Sequence, residues 1–406
     1  MTLDLPLPVR EALTRLEDAG YAAYAVGGCV RDHVLNKTPH DYDICSSARP
    51  EEMQKVFANE RTIETGLKHG TLTVLLQGMP LEITTFRVDG AYSDGRHPDS
   101  VQFTARVEDD LSRRDFTINA MAYSPARGFA DPFGGREDCG RGLIRCVGDP
   151  AARFGEDALR ILRALRFSSK LGFPIHEATD RALRAGKEQL CHVSRERIAV
   201  ELTGLLQGKD AGKALKAYPD VIAVVLPELT PLMNASKWPL ILDTIDKCPN
   251  DLYLRWAALL SGCGEKTARD VLKSLKMSVK IMDTVSTLVA WQDTDLTPHT
   301  IQEMLMRVGP EETGLLIDLR LAKRLAEGKE PEEAAMGDAE ALKEKLRALL
   351  QENACYTLGQ LAVNGKDLAA LGLSGPALGE TLHALLLRVV RNELPNDREA
   401  LLLAAK

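Results

Sequence analysis

The sequence predicts an α/β unit followed by an all-helical remainder, and three observations carry that prediction. Up to about residue 145, short apolar or alternating runs such as "YAAYAV", "TLTVLLQG" and "LEITTFRV" interleave with segments of helical spacing such as "RPEEMQKVFANE", the mixture expected of strands packed under helices. From about Phe154 onward nearly every segment has apolar residues three or four apart, which gives each helix one stripe to bury. Short Gly, Pro and Asn punctuation separates these segments, and such residues interrupt helices.

In chain order, "YAAYAV" (Tyr21 to Val26) reads as a buried strand that turns at Gly27-Gly28 into "CVRDHVL", the first turns of a helix. Glycine has no Cβ and helix N-termini carry partial positive charge, so this turn lets a backbone approach an anion closely. In "HDYDI", Asp41 and Asp43 are two apart in a β-like run and therefore point the same way. Glu82, in "PLEITTFR", occupies a strand that can lie alongside. "LSRRDFTINAMAY" (111–123) reads as a capped helix start, with Asp115 at the N-cap and Asn119 four residues on, on the same face. The predicted helices after Phe154 include "EDALRILRALRFSSKLGF", "SRERIAVELTGLLQG", "LYLRWAALLSG", "ARDVLKSLKM", "ALKEKLRALLQEN" and "ALGETLHALLLRVVRN". The segment "EGKEPEEAAMGDAE" (Glu327 to Glu340), acidic and poor in large apolar residues, is the expected linker.

With 406 residues, 45% of them hydrophobic, the chain has room for two or more domains with real cores. No run approaches eighteen consecutive apolar residues, and "MTLDLPLPVREALTRLEDAG" lacks the basic-then-apolar layout of a secretory signal, so a cytoplasmic address and no membrane partner are expected. The eight cysteines are scattered without a Cys-x-x-Cys pair, which argues for free thiols and against zinc. A net charge of −7 argues against wholesale wrapping of nucleic acid but leaves room for a local basic face. From Arg153 to Arg197, ten Lys/Arg oppose six Asp/Glu, and there arginine is dense enough for a phosphate-binding surface.

Three constellations carry chemistry. Asp41 and Asp43 on one face can hold Mg²⁺, which needs few protein carboxylates when phosphates supply the remaining ligands; Glu82 offers a third carboxylate. An isolated Asp-x-Asp is also an ordinary polar strand end, and it is the glycine turn upstream that favours the functional reading. Arg113 and Arg114 beside Asp115 suit bidentate contacts to triphosphate oxygens, which a helix cap alone does not explain. On a helix over 156–167, Asp157, Arg160, Arg163 and Arg166 recur at three-residue intervals and form one stripe. That stripe suits a salt-bridged solvent face too, since Glu156 and Arg160 form an i,i+4 pair. Its sharper reading is base recognition: Asp157 accepts from an exocyclic amine while Arg160 donates to the adjoining ring nitrogen. Cytosine and adenine present that order on their Watson–Crick edges, and uracil and guanine present the reverse.

With these motifs in place, the chain resembles the bacterial class II tRNA nucleotidyltransferases, the CCA-adding enzymes and their poly(A) polymerase relatives. "GGCVRD" with "HDYDI" is similar to the family's catalytic motif, "RRDFTINAMA" to its second, "EDALRILRALRF" to its nucleotide-recognition helix, "SRERI" to a neck motif and "VNGKDLAALGLSGPALGETLHALLLRVV" to the tail. The resemblance implies a polymerase-β-type catalytic head over 1–145. After it come a helical neck over 146–210, a body over 211–330 and a tail over 331–406, which hold tRNA. It implies that Gly28 and Arg31 contact the incoming nucleotide and that Asp41 and Asp43 bind Mg²⁺. Arg114, Asp157, Arg160, Arg163 and Arg166 would line the nucleotide pocket, with Asp115 and Asn119 beside them. Val88 to Phe103 is similar to the family's flexible loop, associated with the final A, which disfavours a relative restricted to adding CC. "HD" occurs only at His40-Asp41, so no appended phosphohydrolase domain is expected. CTP and ATP are the implied substrates. An A-adding enzyme and a poly(A) polymerase share all three motifs, and a non-catalytic RNA-binding protein on the same scaffold is the rival from another class. Monomer and homodimer both remain open.

Overall fold

The computed structural model describes residues 2–64, 66–67, 70–90, 92, 95 and 99–406. The chain divides into two compact units, one of Met1–Asp210 with Asp220–Val225, the other of Ala211–Pro219 with Leu226–Lys406.

In the first unit the described residues form a sheet of β1 (Ala23–Val26), β2 (Asp43–Ser46), β3 (Arg61–Ile63), β4 (Thr71–Leu76), β5 (Met79–Thr85), β8 (Ala122–Ser124) and β9 (Gly128–Ala130), in the order β3-β4-β5-β2-β1-β8-β9. The β2–β5 pair is parallel, and the other pairs are antiparallel. A separate ribbon joins β6 (Arg87–Asp89) to β7 (Val101–Phe103). These strands form the two ends of the segment likened to a flexible loop, part of which lies outside the described residues. On one side of the sheet Tyr24, Val26, Cys45 and Phe86 pack with Val107, Leu111 and Val147, and β1 is buried along its whole length, as its continuous apolar run predicts.

Helices α1 (Leu7–Asp18), α2 (Gly28–Val34), α3 (Pro50–Val56), α4 (Val107–Ser112) and α5 (Gly135–Arg141) accompany the sheet, and α6 (Pro150–Glu156), α7 (Leu159–Leu171), α8 (Glu177–Gly186) and α9 (Arg195–Leu206) follow it. Two expectations need correction here. "FTINAMA" is a 3₁₀ turn over Thr117–Asn119 that runs into β8, not an α-helix. The stripe over 156–167 is interrupted at Asp157, whose backbone is extended and whose Oδ1 accepts Leu159 N–H at 3.1 Å. Asp is among the strongest helix-capping residues, so it ends α6 and starts α7.

The second unit is helical among its described residues. Trp256 is fully buried within the helix Leu252–Leu260. Leu361, Val363, Leu368, Leu385, Leu386 and Leu401 belong to a core of their own near the C-terminus. The expected linker is mostly helix: Glu332–Gln351 is one continuous element after a break at Gly328. Alanine and glutamate form helices well without large apolar residues, and this low apolar content is what made the segment look like a linker.

Candidate active site

Register brings the motif residues to one end of the sheet. Val26, the last residue of β1, lies opposite Asp43, the first of β2, and also opposite Ala122, the first of β8. Asp43 in turn lies beside Glu82 on the parallel strand β5. Gly27 therefore leaves the sheet where Asp43 enters it, and its N–H is tied to Met121 O at 3.1 Å. Gly27 has φ 80°, in the left-handed region, and a Cβ there would come to 3.0 Å from Arg114 Nη1. The backbone conformation favours glycine, and a Cβ there would push the Arg114 guanidinium from its seat.

A cleft of about 850 Å³ opens at this end. It is lined by Gly27, Gly28 and Arg31 from the glycine turn and α2, by Asp41 and Asp43, by Arg114, Asp115 and Asn119, and by Arg163 and Arg166 of α7. Lys37, Lys170 and Lys209 add positive charge to the lining, which Asp32, His40 and Phe167 also join, and sequence reading did not single these residues out.

The negative pole of the cleft is the carboxylate pair. Asp41 precedes β2 and Asp43 begins it, so the expected shared strand is shorter than the motif, yet both side chains reach the cleft. Desolvation, with the neighbouring charges of Asp41 and Glu82, raises the Asp43 carboxyl above its ordinary range, and Arg114 offsets this in part. Carboxylates that repel each other beside an open cleft are the donor set a hard divalent cation relieves, and phosphate oxygens would complete its shell. The fit is to two carboxylates. Among the described residues no three acidic, His or Cys side chains converge as a ready-made metal cage, and Glu82, exposed on β5, acts on Asp43 through charge.

The positive wall is held by a chain of polar contacts. Arg31 Nη1 donates to Asn119 Oδ1 at 2.7 Å, and Asn119 Nδ2 donates to Asp115 Oδ1 at 3.2 Å. Asp115 Oδ2 accepts Arg163 Nε at 2.8 Å and lies 2.7 Å from its Nη2. Arg163 and Arg166 share Glu201 of α9, at 3.6 and 2.7 Å. Burial opposes the Asp115 charge, but Arg163, Asn119 and the Phe116 N–H together hold the carboxyl below its ordinary range. At Glu201 burial wins over both arginines and raises the carboxyl, and at Arg166 burial and the neighbouring Arg163 lower the guanidinium. The helical-face argument for Asp115 and Asn119 thus gave the right contact through a tighter turn. Glu201 was missed, although a carboxylate three residues after Ile198 and one before Leu202, on the apolar side of α9, was a readable signal.

Asp110 secures the same wall from behind. It is fully buried, and its Oδ1 accepts Arg113 Nε and Nη2 at 3.0 and 2.8 Å while Oδ2 accepts Arg114 Nη2 at 3.4 Å. Arg113 and Arg114 therefore differ in use: Arg114 lines the cleft, and Arg113 turns away to Asp110 and Asp89.

Asp157 and Arg160 do not line the cleft. Asp157 Oδ2 accepts Arg197 Nη2 at 2.7 Å, and Arg160 donates to Glu156 and to the backbone carbonyls of Arg153 and Arg113.

Known proteins resemble this chain along most of its length. Residues 23–145 match the family of the Poly A polymerase head domain, residues 172–233 that of the "Probable RNA and SrmB- binding site of polymerase A", and residues 250–405 a tRNA nucleotidyltransferase domain 2. The CCA-adding enzyme of Leuconostoc mesenteroides is 38% identical, covering 96% of this chain and 93% of its own. That of Geobacillus stearothermophilus is 36% identical, over 97% and 95%. The crystal structure of the Bacillus stearothermophilus CCA-adding enzyme in complex with CTP superposes with a TM-score of 0.80 at 33% identity, covering 99% of this chain and 97% of that one.

Proposed function

We propose, from the premise that this chain belongs to the CCA-adding enzymes, as its near-full-length relatives establish, that it adds CMP and AMP from CTP and ATP to the 3′ hydroxyl of tRNA. Pyrophosphate is released, and no nucleic-acid template is used. The observation that carries this reading is the meeting in one cleft of a carboxylate pair, a glycine turn and four arginines. Phosphoryl transfer asks chiefly for positioning and charge neutralisation, and these groups supply both.

In this reading Gly28, Arg31 and Arg114 hold the triphosphate, and Arg163 and Arg166 neutralise its far side. Asp115 and Asn119 keep those guanidinium groups oriented. Asp41 and Asp43 hold Mg²⁺, with Glu82 as an adjacent carboxylate, and the bound ion would activate the attacking hydroxyl and steady the leaving pyrophosphate. Asp157 and Arg160 do not line the cleft themselves, but Arg160 lies one helical turn before Arg163, which does, and this reading assigns to the two the recognition of the base edge. Each retains capacity for this, because a carboxylate has about four acceptor sites and a guanidinium five donors. The division into head, neck, body and tail belongs to the same reading, with the helical parts holding tRNA. Free thiols at all eight cysteines suit a reducing, cytoplasmic setting.

A tRNA lacking CCA, incubated with CTP alone, ATP alone and both, tests the reading. CTP alone should extend the primer by C residues, and both together should give complete CCA. An unextended CTP lane would indicate an A-adding enzyme, and an unlimited A ladder a poly(A) polymerase. Base reading is tested separately by Asp157→Arg combined with Arg160→Asp, which should move preference toward UTP and GTP. Parental preference in that variant excludes the pairing.

A further inference from the structure

Phe167 lies at the centre of the cationic wall. The guanidinium carbons of Arg166, Arg31 and Arg163 stand over its ring at 4.8, 5.3 and 5.5 Å from the centroid. Arg31 comes from α2, and the other two come from α7, the helix of Phe167 itself. The ring is 7% exposed yet lines the cleft, and Phe116 fixes it in an edge-on contact with centroids 5.8 Å apart and planes at 81°. Phe116 is the residue next to Asp115, so the part of the chain that pins the ring also anchors Arg163.

Three guanidinium groups drawn together repel one another. No one carboxylate serves all three: Asp32 pairs with Arg31, Asp115 with Arg163, and Glu201 with Arg166 and Arg163. The face of an aromatic ring attracts cations through its quadrupole without adding negative charge that would repel an incoming phosphate. Phe167 touches all three.

We infer that Phe167 is a positioning residue that holds Arg31, Arg163 and Arg166 as one preformed cradle for the phosphates of the incoming nucleotide. The inference rests on the nucleotidyltransferase reading of this cleft. It assigns to a core phenylalanine an electrostatic task that a leucine cannot perform. Because the cradle serves phosphates and not bases, CTP and ATP depend on it equally.

The test replaces Phe167 in the full-length chain with mono-, di- and trifluorophenylalanine, which drain the ring face step by step with little change of shape, and with Leu and Trp. Two measurements are made on each variant: calorimetric binding of inorganic pyrophosphate, and KM and kcat for CTP and for ATP on a tRNA lacking CCA. Pyrophosphate affinity should fall monotonically with fluorination, and KM for both nucleotides should rise in parallel, with kcat less affected. Leu should weaken binding about tenfold, as loss of desolvated cation–π contacts implies, and Trp should restore it. Equal affinity across the fluorinated series overturns the inference, as does a CTP defect without an ATP defect. If Leu fails to fold, the fluorinated series still decides. A parent chain that binds pyrophosphate but extends no tRNA refutes the functional reading and leaves the binding test of the cradle standing.

Discussion

Substituting Asp115 with Asn isolates the contact on which the arrangement of the wall turns. Asp115 is 8% exposed and spends both carboxylate oxygens on neighbours: Oδ1 on Phe116 N–H at 2.8 Å and Asn119 Nδ2 at 3.2 Å, Oδ2 on Arg163 Nε at 2.8 Å. Asparagine keeps the volume and one acceptor but loses the charge, and its NH₂ must face either Arg163 or Asn119 as a second donor. Breaking a fully buried ion pair costs about 3–5 kcal/mol, whereas an exposed pair is worth under about 1 kcal/mol. The Arg163 side chain is 32% exposed, so water takes up part of its charge, and a loss of about 2 kcal/mol is expected, in line with a hydrogen bond to a charged group. Urea denaturation followed by circular dichroism measures it. Arg181→Gln, which breaks an Arg181–Glu177 pair exposed at both ends, is the internal control and should change stability by less than about 0.5 kcal/mol. The pH dependence adds a second check. The Asp115 carboxyl is lowered from its ordinary 3.8 in the folded state, so its contribution is complete above about 3.8 and disappears as pH falls through the lower folded value. The gap between parent and variant should be constant from neutrality down to about pH 4 and narrow below it. A stability loss no greater than that of Arg181→Gln would refute the account of Asp115 as anchor.

Two further outcomes follow from the same geometry. Asp43 is exposed at the cleft, yet local desolvation and the neighbouring charge of Asp41 raise its carboxyl in the folded state, so its ionisation mildly opposes folding at neutral pH, and the favourable contribution of its protonated form is lost as pH rises through that raised value. Asp43→Asn should therefore abolish nucleotide transfer and raise the melting temperature at pH 7, and added Mg²⁺ should stabilise the parent more than the variant; a lower melting temperature with retained transfer contradicts both halves. Gly27→Ala forces a side chain into a φ of 80° and to 3.0 Å from Arg114 Nη1, so KM for CTP and ATP should rise several-fold with a stability loss of about 1 kcal/mol, and an unchanged KM shows that Arg114 does not need its present seat.

Legibility in the sequence followed the range of the contacts. The glycine turn and the Asp-x-Asp are local signals, in which a few adjacent residues dictate the backbone, and they located much of the cleft; Asp115 was expected as a helix N-cap, but Phe116 precedes the 3₁₀ turn there and Asp115 reaches the cleft through Arg163 and Asn119 instead. Strand register extended that reach: Asp43 and Glu82 are expected neighbours from their strands and are exact partners in the ladder. What stayed hidden depends on contacts between distant segments. Asp110 looks like one of several acidic residues in a helix, and only folding shows it fully buried under two arginines. Phe167 looks like core and is core, and its relation to Arg31 from another helix is not encoded in any spacing. Helical periodicity misled where a capping residue overrode it, as at Asp157, since the stripe from 156 to 167 continues in sequence across a break in the backbone.

That break bears on the base-reading role proposed for Asp157 and Arg160. An Asp on a continuous helix would swing with its rotamers, but Asp157 is fixed from two sides, by Leu159 N–H on Oδ1 and by Arg197 on Oδ2. Arg160 is fixed likewise by Glu156 and the carbonyls of Arg153 and Arg113. If the two groups present an acceptor and a donor in fixed order to a base edge, as proposed, they gain from such restraint, because discrimination between bases depends on the wrong edge finding no compliant partner. Arg197 lies on α9, outside the helix that carries Arg160, and like Asp157 and Arg160 it does not line the cleft. Arg197→Gln should therefore leave fold and tRNA affinity nearly intact while the preference for CTP and ATP over UTP and GTP falls about tenfold, the equivalent of one lost hydrogen bond to a charged group. Competition assays with all four nucleotides measure it directly. If Arg197 merely braces α7 against α9, efficiency with every nucleotide falls by the same factor and the preference is unmoved, a result that assigns Arg197 to packing and returns the fixing of Asp157 to its cap on Leu159 alone.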